Sequence, residues 1–223
     1  MKSFKVGSLV SVAVLCSGTA FAQDAVKADP AHYKVLLENT SVRVLSISYA
    51  AGAASKVHQH PDSLVFVLGD SKVRFATPDG KSQDVDMASE SAMYTPAGTH
   101  TPTNIGKTPL SAILVEFKAK APGTANLPAS RAGMTMKVLA EGPRAMAYRS
   151  TAAPTFAEPA GSKHDFDQVV ISLGDAQMSL SIDGKPVKTT WARGDVEFIG
   201  RGVPHQATNT GAKALDMVIV AIK

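Results

Sequence analysis

The chain carries most of its own pattern twice. His100 and Asn104 recur as His205 and Asn209, Gly69-Asp70 as Gly174-Asp175, and Asn104-Ile105-Gly106 as Asn209-Thr210-Gly211, a spacing of about 105 residues. Lys34-Val35-Leu36 and Lys137-Val138-Leu139 open the two copies in near register, and Asp79-Gly80-Lys81 and Asp183-Gly184-Lys185 mark equivalent turns. From the shared Asn both copies run the same length, to Lys118 and to Lys223. Solenoid repeats have periods of roughly 20–50 residues, so a period this long means duplication of a whole small domain.

Each copy reads as short strands separated by turn signals. Residues 42–47 roughly alternate in polarity, and 63–68 form an apolar run ended by Gly69-Asp70. Residues 72–75 lead to Pro78-Asp79-Gly80, a strong turn. The closing runs 111–117 and 215–222 are apolar enough for a core. Long helical periodicity is missing, which leaves an all-β chain, an antiparallel sandwich or barrel in each copy. Residues 23–118 and 131–223 are the two expected domains. The stretch 119–130, with Pro122-Gly123 and Pro128, is the expected linker.

Residues 1–22 read as a secretory leader. Lys2 and Lys5 precede an apolar stretch too short to span a membrane, and Ala20-Phe21-Ala22 is an A-x-A cleavage site before Gln23. A periplasmic or secreted protein is expected, with no membrane attachment after cleavage. Cys16, the only cysteine, lies in the leader, and Leu15 and Ala13 before it do not fit a lipid-attachment signal. The mature chain therefore has no thiol for a disulfide, and its core alone must hold the fold. The leader's two lysines leave with it, taking the formal charge from +4 to +2. The remaining basic residues are scattered, which gives no support to nucleic-acid or membrane-surface binding.

Three histidines carry the chemistry. His58-Gln59-His60 places two imidazoles at i and i+2, a spacing that points both the same way from a β-strand. His100 follows a Pro96-Ala97-Gly98 turn. Three same-side imidazoles are what a divalent transition metal takes from protein while positions stay open for a ligand. Imidazole suits iron(II), zinc, nickel and copper(II) alike, so the residues do not choose among them.

These segments resemble the two motifs of the cupin superfamily. Gly52, five residues, then His58-x-His60 matches the opening of the first motif. Pro96, Gly98, His100 and Asn104 match the second, with one residue fewer than usual between Gly and His. The resemblance implies two tandem jelly-roll barrels, a two-domain (bicupin) chain, with a metal held by His58, His60 and His100 in the first. Open strand edges that pair within the chain would make a monomer imitating a dimer. The family's usual glutamate is missing: its spacing lands on Leu64 or Val65, and no carboxylate lies between Asp62 and Asp70. Some cupin-like dioxygenases, acting on thiols or β-diketones, hold iron with three histidines and no carboxylate, so the resemblance implies a metal-dependent dioxygenase or isomerase on a small organic molecule. The alternative is a cupin that binds a small ligand, or serves structurally, without metal.

The second copy reads as degenerate. Counted back from Gly174, Lys163 falls at the place of His58, Asp165 at that of His60, and His164 at that of Gln59. That register leaves a barrel without metal. A strand slip or bulge would instead turn His164 inward and assemble a His164, Asp167, His205 set. Phe66 and Tyr94 are expected to line the first barrel, and Trp191 to pack. Asn104 and Asn209 are expected to satisfy turn backbone, and Gly98 and Gly202 to supply positive φ. Glu116 and Glu197 fall late in their domains without a paired carboxylate. There is no nucleophile elbow, phosphate-binding glycine loop or paired cysteine.

Overall fold

Residues 23–118, 124–129 and 131–223 are described by the computed structural model. The expected leader with Cys16, and residues 119–123 and 130 of the expected linker, lie outside them. The apolar runs form strands, in chain order β1 (Gln23–Asp24), one helical turn α1 (Ala25–Ala28), β2 (Tyr33–Glu38), β3 (Val42–Tyr49), β4 (His58–His60), β5 (Ser63–Gly69), β6 (Ser71–Ala76), β7 (Ser82–Met87), β8 (Ala92–Thr95), β9 (Gly98–Asn104) and β10 (Leu110–Phe117). The second copy supplies β11 (Met134–Glu141), β12 (Ala145–Ala152), β13 (Asp167–Ser172), β14 (Ala176–Ile182), β15 (Lys185–Trp191), β16 (Val196–Ile199), β17 (His205–Asn209) and β18 (Leu215–Ile222).

The duplication is visible strand for strand in one sheet of each copy. One sheet runs β2-β3-β10-β5-β8, and its counterpart runs β11-β12-β18-β13-β16. Even the β-bulges correspond, between Val35 and Leu37 and between Val138 and Ala140. The other sheet of the first copy is β1-β4-β9-β6-β7; that of the second is only β15-β14-β17. No sheet closes on itself. Within each copy the two sheets share a core: Leu45, Ile47, Val65 and Leu114 meet Val73 and Met87 in the first, and Tyr148, Val170 and Ile219 meet Met178, Leu180 and Trp191 in the second. The Trp191 indole N–H donates to the Met178 carbonyl at 3.0 Å, so this residue packs as expected.

The sheets β2-β3-β10-β5-β8 and β11-β12-β18-β13-β16 also bury their remaining faces together. Val44, Leu64, Phe66, Ile113, Val115 and Phe117 of the first copy form one cluster with Ala147, Val169, Ile171, Val218 and Val220 of the second. Residues 63–68 are therefore apolar without alternation, because their sheet is covered on both sides. This layering corrects one expectation. Phe66 alternates with Val65 and Val67 and faces the intercopy core, not the interior of the first copy. Tyr94 goes the same way: its ring stacks on Phe117 at 6.2 Å and lies so close to Gly142 that a Cβ there would meet it at 2.3 Å.

The duplicated Asn residues hold equivalent turns. The Asn104 amide donates to the carbonyls of Tyr49, Ala50 and Thr108 and accepts from the Gly106 N–H. Asn209 does the same with Ala152, Ala153, Lys213 and Gly211. Gly202 has φ +69, the left-handed region that favours glycine. Gly98 does not: it sits in β9 opposite His60, in ordinary strand backbone, and the positive φ belongs to Gly52 at +79.

Candidate metal centre

Strand pairing brings the three histidines together. His58 and His60 are two residues apart on β4 and share a face. β4 pairs antiparallel with β9 so that His58 stands directly opposite His100, and opposed residues share a face too. The segment before β4 is zipped along the same strand: Gly52 N–H donates to the Asn104 carbonyl, Ala54 bridges Thr103, and Ser55 N–H donates to the Pro102 carbonyl. β1 covers the other edge of β4 in parallel, Gln23 beside His58 and Asp24 beside Gln59. The ring centroids lie 4.9 Å (His58–His60), 5.0 Å (His58–His100) and 5.3 Å (His60–His100) apart. One nitrogen from each falls within 4.8 Å of the others.

Two of the three rings are tied through Nδ1. His58 Nδ1 lies 2.8 Å from the Lys56 carbonyl, which only accepts, so Nδ1 carries the proton and Nε2 the lone pair. The Tyr33 hydroxyl occupies that lone pair at 3.0 Å. His60 Nδ1 donates to Glu116 Oε1 at 2.6 Å, which turns its Nε2 away from the carboxylate. Glu116 is 1% exposed. Its second oxygen accepts from Arg43 Nε at 2.6 Å, and Arg43 also binds Asp24 of β1. His100 packs its ring edge-on to Phe75 at 5.1 Å. Burial, reinforced by the neighbouring His60 and His58, pushes its imidazole down to about 3. Burial lowers His58 as well.

The residues fit a metal. One nitrogen of each ring lies within 4.8 Å of the other two, burial favours the neutral donor form in His58 and His100, and an imidazole held from behind by a carboxylate is the usual support of a metal-ligating histidine. The carboxylate missing from the sequence motif thus has a counterpart one bond further out, in Glu116. Glu116, Tyr33, Ser55 and Arg43 were not singled out by motif spacing, because each comes from a different strand or loop.

A cavity of about 250 Å³ opens beside the cluster, bounded by His60 and His100 together with Tyr33, Tyr49, Met87 and Met93. Phe66 and Tyr94 take no part in it.

The second copy gathers Glu158, His164 and His205 within the same 4.8 Å limit. Ser162 bridges His205 as His58 faces His100, so His164, two residues on, takes the place of His60. The register counted back from Gly174 is therefore corrected: Lys163 takes the place of Gln59, and one extra residue follows His164. Asp167 is not in the group; its carboxylate accepts the Arg201 N–H at 2.8 Å. Glu158 stands instead, at the place of Ser55, its N–H bonded to Ala207 as that of Ser55 is to Pro102. A guanidinium already occupies it: Arg131 Nη1 lies 2.7 Å from Glu158 Oε1. The space there is about 70 Å³.

No protein-family profile and no curated protein matches this sequence. Solved structures do match the fold. AerE from Microcystis aeruginosa superposes with a TM-score of 0.61 at 13% identity, over 86% of this chain and 97% of that one. A deletion variant of Bacillus subtilis oxalate decarboxylase gives 0.61 at 12% identity, over 85% and 71%; that enzyme has Mn(II) centres. A cupin 2 conserved barrel domain protein from Leptotrichia buccalis gives 0.56 at 14%, over 86% and 88%. The chain therefore has the all-β fold of cupin-domain proteins, with histidine groups suited to a divalent metal.

Proposed function

We propose that this chain is an exported two-domain cupin, two jelly-roll barrels in tandem, whose first barrel binds one divalent transition metal through His58, His60 and His100 and acts on a small organic molecule. The observation that carries this reading is the convergence of three imidazole donors, two of them, His58 and His60, tied through Nδ1 to the Lys56 carbonyl and to Glu116. A bound metal would supply Lewis-acid or redox chemistry. The protein itself supplies three imidazole donors, an orienting carboxylate and a largely apolar cavity. The Mn(II) centres of oxalate decarboxylase are in keeping with a metal in such a fold; they do not choose the metal or the reaction here.

No Asp, Glu or Lys lines the cavity among the described residues. Burial pushes the lining Tyr33 and Tyr49 hydroxyls up, away from the basic form, which favours dioxygenase chemistry over isomerisation by proton abstraction. The same lining favours a second reading, binding of a small ligand without turnover.

Metal analysis of the purified chain tests the main reading. About one equivalent is expected, lost in the His58→Ala/His60→Ala variant. Protein that takes up no iron, manganese, zinc, nickel or copper under any loading condition would sink it. Oxygen uptake by iron-loaded protein with β-diketones, thiols and catechols separates turnover from binding alone. Fractionation of the expressing cell, with the mature mass beginning at Gln23, tests export. A solution mass of one mature chain tests the reading that the intercopy sheet packing replaces dimerisation.

A further inference from the structure

The cavity beside the histidines has two unlike ends. At one, Gln83 and Gly98 line it and are exposed. His60 stands opposite Gly98, and Phe75, opposite Gln83, meets the His100 ring, so the histidines belong to this end. The other end is closed and apolar. Along β10 the inward side chains run from Glu116, which holds His60, through Leu114 to Ala112 and Leu110, all three buried. At about 3.3 Å per residue, Ala112 lies roughly 13 Å along the strand from Glu116. The volume, about 250 Å³, exceeds the roughly 150 Å³ that takes benzene.

The two ends also differ in charge. Imidazole ligands bring no negative charge, unlike carboxylate or thiolate, so three of them leave the charge of a divalent ion uncancelled. Glu116 stands behind His60 and is already matched by Arg43. No Asp, Glu, Lys or Arg lines the cavity among the described residues. A metal on the histidines would therefore be the cavity's one cation, at its open end. An anionic group has a partner there. A second anionic group, carried inward, would lie against Leu110, Ala112 and Met87, and burying an unpaired charge is prohibitive.

We propose that this cavity takes an amphipathic monoanion, with an anionic oxygen group such as a carboxylate at the histidine end and an apolar body of about six carbons running inward past Leu114 toward Ala112. The inference rests on the metal reading and narrows its substrate class: dianions lack a second cation, uncharged apolar molecules leave the metal's charge unmet, and small anions leave the closed end unfilled.

Calorimetric titration of the purified full chain, loaded with redox-inert zinc and its metal content checked by elemental analysis, tests this with hexanoate, adipate, 1-hexanol and acetate. Hexanoate and adipate differ only in a methyl or a carboxylate at the far end. Hexanoate is expected to bind at least about tenfold more tightly than adipate or 1-hexanol, and on the order of 100-fold more tightly than acetate, the effect of burying four more carbons. Removing the zinc is expected to weaken hexanoate at least about tenfold. Ala112→Phe, which fills the closed end, is expected to bring hexanoate down to the level of acetate and to leave zinc content unchanged, with circular dichroism confirming the fold; Met93→Trp, at a half-buried place on the cavity wall, repeats the test if Ala112→Phe does not fold. A chain that takes up no metal fails the metal reading and this proposal together. Zinc-loaded protein that binds adipate, 1-hexanol or acetate as tightly as hexanoate, that binds hexanoate equally without zinc, that keeps its hexanoate affinity in the filled variant, or that binds none of the four overturns this proposal and leaves the metal reading standing.

Discussion

Glu116→Gln is the most direct test of how the site is held. The carboxylate is buried and makes two short bonds, 2.6 Å to His60 Nδ1 and 2.6 Å to Arg43 Nε. Both partners donate. A glutamine at this position keeps one accepting oxygen and turns an amide N–H toward the other donor. Two charge-assisted bonds, each worth about 1.5–3 kcal/mol, become one neutral bond of about 1 kcal/mol and one donor–donor contact. Arg43 keeps Asp24, so it is not left alone. The loss belongs at the lower end of the range for breaking a buried ion pair, about 3 kcal/mol. Urea unfolding followed by circular dichroism at neutral pH measures it. Metal affinity is expected to fall about 10–100-fold, because His60 loses the group that orients it and raises its basicity. Arg43→Met serves as the control: it removes the cation behind Glu116 but leaves the Glu116–His60 bond, so it should lower stability more than it lowers metal affinity. If Glu116→Gln loses stability yet binds metal within threefold of the parent, the carboxylate is a structural ion-pair partner only, and the reasoning about His60 is wrong.

Three further outcomes follow from the same geometry. Tyr33 occupies the His58 Nε2 lone pair that a metal would need, so Tyr33→Phe should raise metal affinity about 2–10-fold, the worth of one neutral hydrogen bond; a tenfold fall in a competition titration would mean that the phenol itself helps hold the ion. Arg131→Leu removes the cation seated on Glu158, and elemental analysis should then find a second equivalent of metal, dependent on His164 and His205; stoichiometry unchanged at one would show that the guanidinium is not what opposes a cation there. Acid should weaken the metal-free fold. His100 is held at about 3 in the folded protein, against about 6.5 when unfolded. Above pH 6.5 both states are neutral at this residue. Below it the unfolded chain gains a proton that the folded chain refuses, so stability falls by about 1.4 kcal/mol per pH unit from this residue down toward pH 3. His100→Asn should flatten that part of the urea-midpoint profile between pH 6.5 and 4.5, where carboxylate protonation contributes least.

Why some of this was legible in the residues and some was not follows from what repeats. The short strands and turns of each copy and the His58, His60, His100 trio rest on local signals: alternation, turn residues, and an i, i+2 pair with a third histidine after a glycine turn. Local signals fail where a single residue of register decides the outcome. One extra residue after His164 shifts the count from Gly174 by one, and in a strand one step reverses the side chain. Only the Ser162–His205 bridge reveals that His164 faces inward. Phe66 and Tyr94 were misassigned for a related reason: a sheet buried on both faces loses the alternation that tells inside from outside. Glu116 did leave a trace. It is the lone charge in an apolar strand, and Arg43 is the lone charge in the facing one. Opposed charges in two otherwise apolar strands point to a buried pair, but the facing of those strands is known only once they are paired.

The two copies also act as controls for one another. Asn104 and Asn209 keep the same bonds in both, so those bonds serve the fold. Residues that differ at equivalent places separate the site from the scaffold. Arg43 opposite Glu116 becomes Met146 opposite Ala221, two apolar residues on the same strands in the same register. Tyr33, across from Ile47, becomes Met136, across from Ser150. The fold therefore tolerates the absence of the buried ion pair and of the phenol, and a well-packed apolar pair is often as stable as a buried salt bridge. Keeping Asp24, Arg43 and Glu116 in the first copy has no purely architectural necessity. Their common product is a carboxylate aimed at His60, in the one copy whose histidines open onto a cavity large enough for an organic molecule.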